Sequence, residues 1–146
     1  MPRIERIADV VWEGNVARGN GAITAGTGAF SALPFSLPTR IGDPEGKTSP
    51  EELLAAAHAG CLAMSLSGEL TQAGTPPTRL DVACTIVMDE VEGEGHQIVA
   101  SQVSVSADVE DVSEDELAAA LERADASCPF STLLRKAGAQ VTVSRS

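Results

Sequence analysis

Short strand-like runs of residues lie on both sides of a long, nearly uncharged central segment. Alternation of apolar and polar positions is typical of half-buried strands, and a loop of glycine and asparagine residues between two runs is typical of a hairpin. These patterns predict five strands, at residues 7–12, 21–25, 80–88, 98–107 and 140–144. The first two strands and the next two are each expected to pair as an antiparallel hairpin.

The central segment predicts a long helix from about Pro50 to Ala73. Ser49 is a favourable N-cap, Pro50 fits the first helical position, and Glu52 completes a capping box. The helix ends at the Gly-Thr-Pro-Pro run of residues 74–77, because proline cannot continue it. Since the segment is nearly uncharged on every side, we expect the helix to be buried all round.

The apolar run from Leu53 to Leu70 is about as long as a membrane span. However, His58, Glu69 and two serines lie within it, and polar groups are costly in lipid. We therefore expect a buried helix of a soluble protein and no membrane partner.

Two shorter helices precede the last strand. Ser113 and Glu116 form a capping box for a helix that reaches about Ala124, and Cys128 with Pro129 begins a helix that ends before Gly138. The segment 30–47 contains three prolines and two glycines and predicts an extended loop with one short strand at most. The resulting order, ββ-loop-α-ββ-αα-β, predicts an α+β fold with mostly antiparallel strands. The chain, residues 1–146, is expected to form a single domain.

The net charge of −11 argues against a nucleic-acid partner, because phosphate binding needs clustered lysine and arginine. The first residues lack the apolar core of a signal peptide, so we expect a cytoplasmic protein. Three cysteines in such a chain do not form a disulfide framework.

The three cysteines have different expected environments. Cys61 lies in the apolar central helix, where a free thiol is most simply core packing. Cys128 lies at the start of a helix, a position that lowers the pKa of a thiol and makes it reactive. Cys84 alternates with apolar residues in a strand, so we expect it to fill the core.

Cys61 lies too far along its helix to be activated by the dipole of that helix, and apolar surroundings raise a thiol pKa. A cation from a loop is therefore needed if Cys61 is a nucleophile, and Arg18 and Arg40 are the candidates. Glu51 has a simple role beside the helix N-terminus, but it can also hold an arginine by two hydrogen bonds. Glu51 and Cys61 are separated by about 15 Å along a straight helix, so a shared site predicts a second copy of the chain.

His58 lies one turn before Cys61 on the same helix face. The pair could supply two metal ligands, but no further ligands stand nearby, and structural zinc sites usually need four. A hydrogen-bonded core histidine is the favoured interpretation.

Three parts of the chain resemble the OsmC/Ohr family of bacterial thiol peroxidases, in its OsmC (osmotically inducible protein C) branch. The resemblance is carried by Ser-Pro-Glu-Glu-Leu at 49–53, Ala-Ala-His-Ala-Gly-Cys at 56–61, and Cys-Pro-Phe-Ser at 128–131. Weaker matches are Trp-Glu-Gly at 12–14, Arg-Gly at 18–19 and Pro-Thr-Arg at 38–40. The loop between Arg40 and Ser49 looks longer than in the family.

The resemblance implies an intertwined homodimer with active sites at the subunit interface. By position, it makes Cys61 the peroxidatic thiolate, Cys128 the resolving thiol, and Glu51 with Arg18 or Arg40 the activating polar group. It implies reduction of organic hydroperoxides, and less efficiently hydrogen peroxide, through a Cys61–Cys128 disulfide in oxidative or osmotic stress defence. A lipoyl-type or small-molecule thiol is the expected reductant, and no metal, flavin or haem is required. The alternatives are a non-catalytic stress or small-molecule-binding protein and a metal-binding module that uses His58 and Cys61.

Overall fold

The computed structural model describes residues 2–146, which divide into two compact units. The first unit ends at Pro50, and the second is Glu51–Ser146. Together they contain the strands and helices of an α+β fold with a long central helix, as predicted. That the whole chain forms a single domain stays a prediction.

The first unit is a three-stranded antiparallel sheet followed by a short helix. Its strands are β1 (Ala8–Glu13), β2 (Asn20–Ala25) and β3 (Leu33–Phe35), in that order across the sheet. The predicted β1–β2 hairpin is confirmed, with Trp12 opposite Gly21. The proline-rich segment holds β3, and it also holds a helix that the sequence analysis did not predict, α1 (Leu37–Ile41). Ser36 caps this helix, and Pro38 fits its first turn.

Gly21 lets two aromatic rings pack across this sheet. A Cβ atom at Gly21 would lie 2.2 Å from the ring of Phe35, so any larger residue would displace that ring. The rings of Trp12 and Phe35 lie 5.6 Å apart, centre to centre. The glycine of β2 thus positions the aromatic side chains of β1 and β3.

The second unit contains one long helix, a three-stranded sheet and two shorter helices. In chain order these are α2 (Pro50–Gln72), β4 (Arg79–Val91), β5 (Gly95–Asp108), α3 (Glu114–Ser127), α4 (Pro129–Lys136) and β6 (Gln140–Arg145). The strands β4 and β5 form the predicted antiparallel hairpin, and the capping box of α3 at Ser113 and Glu116 is confirmed. The strand β6 pairs with β5 in parallel. A parallel neighbour needs a long crossover, which α3 and α4 provide.

The core of the second unit lies between α2, α3 and the inner face of β5. One side of α2 contributes a row of leucines, Leu62, Leu66 and Leu70, each at most 1% exposed. They pack with Val103 and Val105 of β5. From α3 and its end come Leu117, Ala120, Leu121, Ala124 and Cys128.

The prediction that α2 is buried all round is wrong for the chain by itself. Only one row of its side chains, at intervals of four, is fully buried: His58, Leu62, Leu66 and Leu70. The opposite row is exposed: Ala56, Gly60, Met64 and Gly68. Met64 is 78% exposed. By length and composition α2 could cross a membrane. Its buried row nevertheless packs on a sheet and a second helix, as in the core of a soluble protein.

Candidate active site

The thiols of Cys61 and Cys128 lie next to each other in the second unit. Cys61 is a half-buried residue about three turns into α2. Cys128 is fully buried and lies between two helices, where it ends α3 and is the N-cap of α4. The Cys128 side chain interacts with the Cys61 thiol, and both cysteines are free thiols. Folding thus brings together two residues that are far apart in sequence.

The pKa of the Cys61 thiol is raised above its ordinary value. The largest cause is burial, and the neighbouring Cys128 thiol adds to it. A backbone hydrogen bond from Phe130 and a side-chain hydrogen bond from Ser65 act in the opposite direction. Within this unit, therefore, the thiolate of Cys61 is disfavoured, and the expectation that apolar surroundings raise its pKa is confirmed.

The Phe130 contact is a feature that the sequence analysis missed. Phe130 lies in the first turn of α4, where backbone N–H groups have no partner within the helix. Cys61 is too deep in α2 to use the N-terminus of its own helix, but the N-terminus of α4 supplies a donor to its sulfur. Such a contact between distant segments leaves no local signal in the sequence.

Arg135 is a second missed residue, and it lies in the last turn of α4. Its guanidinium donates two hydrogen bonds to the Asp125 carboxylate of α3, at 3.0 and 2.6 Å. The pKa of Arg135 is raised mainly by Asp125, and the Cys128 thiol adds to the rise. Arg135 thus fixes α4 against α3 and places a positive charge within electrostatic range of Cys128.

The other predicted site residues lie elsewhere in the chain. Glu51 lies in the first turn of α2, ten residues before Cys61. Arg18 lies in the loop between β1 and β2, and Arg40 lies in α1, so both arginines belong to the first unit. The roles of these three residues at the thiol pair stay predictions.

Arg40 borders an apolar cavity of about 160 Å³ within the first unit. Most of the other side chains around it are apolar: Trp12, Val16, Phe35 and Leu37, with Ser36. A small apolar cavity with one cation is suited to a ligand that combines an alkyl group with a polar end.

His58 is fully buried one turn before Cys61, and both of its ring nitrogens are hydrogen-bonded. Its Nδ1 lies 2.6 Å from the hydroxyl oxygen of Ser101 in β5, and its Nε2 lies 2.8 Å from that of Ser131 in α4. Burial lowers the pKa of His58, while Asp125 opposes the shift and Arg135 adds to it. The prediction of a hydrogen-bonded core histidine is confirmed.

Cys84 packs against the core, as predicted, and its sulfur lies 3.3 Å from the hydroxyl of Ser101. Burial raises the pKa of the Cys84 thiol. Among residues 2–146, no group of three or more histidine, cysteine, aspartate or glutamate side chains is arranged to hold a metal ion.

The chain matches known proteins over most of its length. The family model for OsmC-like proteins matches residues 42–144. Peroxiredoxin OsmC of Escherichia coli K12 is 33% identical over 124 residues, which cover 85% of each chain.

Two solved structures have the same fold at lower identity. The organic hydroperoxide resistance protein OsmC of Legionella pneumophila matches 100% of this chain and 99% of its own, with a TM-score of 0.76 and 20% identity. OhrB of Bacillus subtilis, an organic hydroperoxide resistance protein, matches 96% of this chain and 98% of its own, with a TM-score of 0.74 and 21% identity. Because the family model and the peroxiredoxin relative each match well over half of the chain, the chain belongs to the OsmC family and is a thiol-dependent peroxidase.

Proposed function

We propose that this peroxidase reduces organic hydroperoxides, and hydrogen peroxide less efficiently, through a sulfenic acid on Cys61 and a Cys61–Cys128 disulfide. The observation that carries the proposal is the interaction of the Cys61 and Cys128 side chains, which folding brings together from distant positions in the sequence. The role we infer is defence against oxidative or osmotic stress. The organic hydroperoxide resistance proteins that share the fold support the choice of substrate class.

In the first step, the thiolate of Cys61 attacks the terminal oxygen of the hydroperoxide. The O–O bond breaks, the sulfur gains that oxygen as a sulfenic acid, and the alkoxide leaves as an alcohol after it takes up a proton. In the second step, the Cys128 sulfur attacks the sulfenic sulfur and water is released. A dithiol then reduces the disulfide by exchange, and we propose a lipoyl-type or small-molecule thiol for this role.

The raised pKa of Cys61 means that the first step needs a cation to stabilise the thiolate. Arg18 and Arg40 are the proposed sources, and the apolar cavity that Arg40 borders favours Arg40. Glu51 is proposed to orient this arginine by a pair of hydrogen bonds. The alkyl part of an organic hydroperoxide fits an apolar cavity of this kind, and its peroxide group would lie toward the polar side chains at the cavity, Arg40 and Ser36.

We further propose that the working form is a homodimer with active sites at the interface. The exposed row of α2, from Ala56 to Gly68, supports this, because an apolar helix face of this length is usually covered. In the first unit, Val10 and Val11 of β1 are 56% and 61% exposed, which adds to the apolar surface. A cytoplasmic location is part of the same proposal.

Intact mass measurement after one equivalent of organic hydroperoxide tests the proposed function. We expect the chain to lose two hydrogen atoms in a reaction that Cys61→Ser abolishes. Cys128→Ser should stop the reaction at a sulfenic acid, which gains one oxygen and reacts with dimedone. Cys84→Ser is the matched control, because Cys84 is also a half-buried thiol of the same unit.

The rival functions give different results in the same experiment. A non-catalytic stress or binding protein would show only slow oxidation that does not depend on Cys61. A metal-binding module would carry a stoichiometric metal after purification, and that metal would be lost in His58→Gln.

A further inference from the structure

His58 joins the two helices that carry the thiol pair. Its ring belongs to α2, the helix of Cys61, and its Nε2 bonds Ser131 in the first turn of α4, 2.8 Å away. Cys128 immediately precedes that turn. All three of His58, Ser131 and Cys128 are fully buried, so water cannot replace the bond.

Two groups at the start of α4 interact with Cys61. Cys128 presents its thiol, and the Phe130 backbone donates a hydrogen bond to the Cys61 sulfur. Ser131, the next residue, is the one that His58 holds. The N-cap Cys128 makes no side-chain capping hydrogen bond of its own, so nothing from its sulfur ties it to the helix it begins.

We propose that His58 is a positioning residue for the resolving step, and that its bond to Ser131 holds the start of α4 so that Cys128 reaches the sulfenic acid of Cys61. This rests on the proposed disulfide mechanism. The step is condensation of the sulfenic acid with the Cys128 thiol, in which an S–S bond forms, the S–O bond breaks and water leaves with the thiol proton. His58 takes no part in the chemistry itself.

The second ring nitrogen of His58 provides a matched control. Its Nδ1 bonds Ser101 of β5 at 2.6 Å, and this bond ties α2 to the sheet rather than to α4. Ser101→Ala and Ser131→Ala each remove one buried hydroxyl from the same imidazole. Ser101→Ala also removes the contact with the Cys84 sulfur, so the control costs the fold at least as much. Only Ser131→Ala frees the start of α4.

The readout is the fate of the sulfenic acid at high peroxide. The sulfenic acid either forms the disulfide or is oxidised by a second peroxide molecule to the sulfinic acid, and mass spectrometry gives the ratio of the two products. This ratio does not depend on how fast the sulfenic acid forms. A change in the pKa of Cys61, or in the fraction present as thiolate, therefore leaves the ratio unchanged. We expect Ser131→Ala to shift the ratio about tenfold toward the sulfinic acid and Ser101→Ala to leave it within about twofold of the parent.

Two further measurements keep the proposal open to refutation. If Ser131→Ala does not fold, His58→Gln and His58→Asn are compared instead. The glutamine amide reaches toward the position of Nε2 and can keep the bond to Ser131, whereas the asparagine amide reaches toward Nδ1 and can keep the bond to Ser101. We expect His58→Gln to resolve better than His58→Asn, and the reverse order overturns the proposal. Equilibration with mixtures of reduced and oxidised dithiothreitol measures how readily the thiols pair without any peroxide, and Ser131→Ala should lower that equilibrium constant about tenfold.

The outcomes separate this inference from the proposed function. Absence of a peroxide-induced disulfide in the parent protein contradicts the proposed function, while the dithiothreitol equilibrium still tests the positioning role. If the parent protein forms the disulfide and Ser131→Ala forms it equally well, the positioning role alone is overturned. The same holds if Ser101→Ala is as impaired in disulfide formation as Ser131→Ala.

Discussion

Met64→Lys tests whether the exposed row of α2 is an interface between two copies of the chain. Met64 lies in the middle of that row and is 78% exposed, so nearly all of its side chain is available for burial by a partner. Full burial of a methionine contributes about 1.5–3 kcal/mol. A twofold interface counts the residue twice, which gives about 3–6 kcal/mol, or a dissociation constant raised about 10²- to 10⁴-fold.

The fold of the single chain should tolerate this change. An exposed substitution on a helix usually alters the free energy of unfolding by less than about 0.5 kcal/mol. The chain carries a net charge of −11, so an added lysine reduces the repulsion between copies. Weaker association of Met64→Lys therefore does not come from the overall charge. It comes from the interface itself, through the lost apolar contact and the cost of burying an ammonium group there.

Sedimentation equilibrium over a range of protein concentrations measures the dissociation constant, and circular dichroism checks that the helix content is kept. Ala118→Lys is the control, because Ala118 is an exposed residue of α3, on a different helix. Peroxidase activity should fall together with the dimer fraction. A parent protein that is monomeric at working concentrations, or a Met64→Lys dimer as tight as the parent, would refute the assignment of this row to an interface.

Three further outcomes follow from the core, the histidine and the arginines. Leu62→Ala should lower the free energy of unfolding in urea by about 2–5 kcal/mol, since Leu62 is fully buried, and an equal loss in Ala118→Gly would contradict this. Because the pKa of His58 is lowered, its contribution to stability should be intact above about pH 6.5 and lost as the pH falls through the pKa of the folded state. Thermal melts over this pH range measure the loss, and His58→Gln should not show it. Arg40→Ala should raise the pKa of Cys61, followed by thiolate absorbance, and slow sulfenic acid formation more than Arg18→Ala does. Equal effects of the two arginines would remove the preference for Arg40.

The local elements were largely predictable from sequence, because their causes are local. The capping box at Ser113 and the proline after Cys128 predict where α3 and α4 begin, and the structure places both starts there. Apolar runs separated by glycine-rich loops predict the two hairpins, and both are formed. The short helix α1 was missed, since its five residues, one of them a proline, carry too little periodic pattern to be recognised.

The burial of α2 shows where a sequence pattern stops being sufficient. An uncharged surface on all sides predicts that a helix is covered, but it does not say by what. Within this chain only the row that includes His58 and Leu62 is covered, and the row that includes Met64 is not. Tertiary structure decides which row meets the core, because that depends on where β5 and α3 lie.

The sequence by itself determined the helices and hairpins, the α+β class and the candidate thiols, since each depends on neighbours along the chain. Only the tertiary structure placed Cys128 beside Cys61, the N-terminus of α4 at the Cys61 sulfur, and His58 between two serines from different elements. The two histidine bonds join residues that are 43 and 73 positions apart in sequence. No local pattern specifies which side chains will meet over such separations. The reactive thiols can therefore be recognised in the sequence, but their environment is set by contacts that form only when the chain folds.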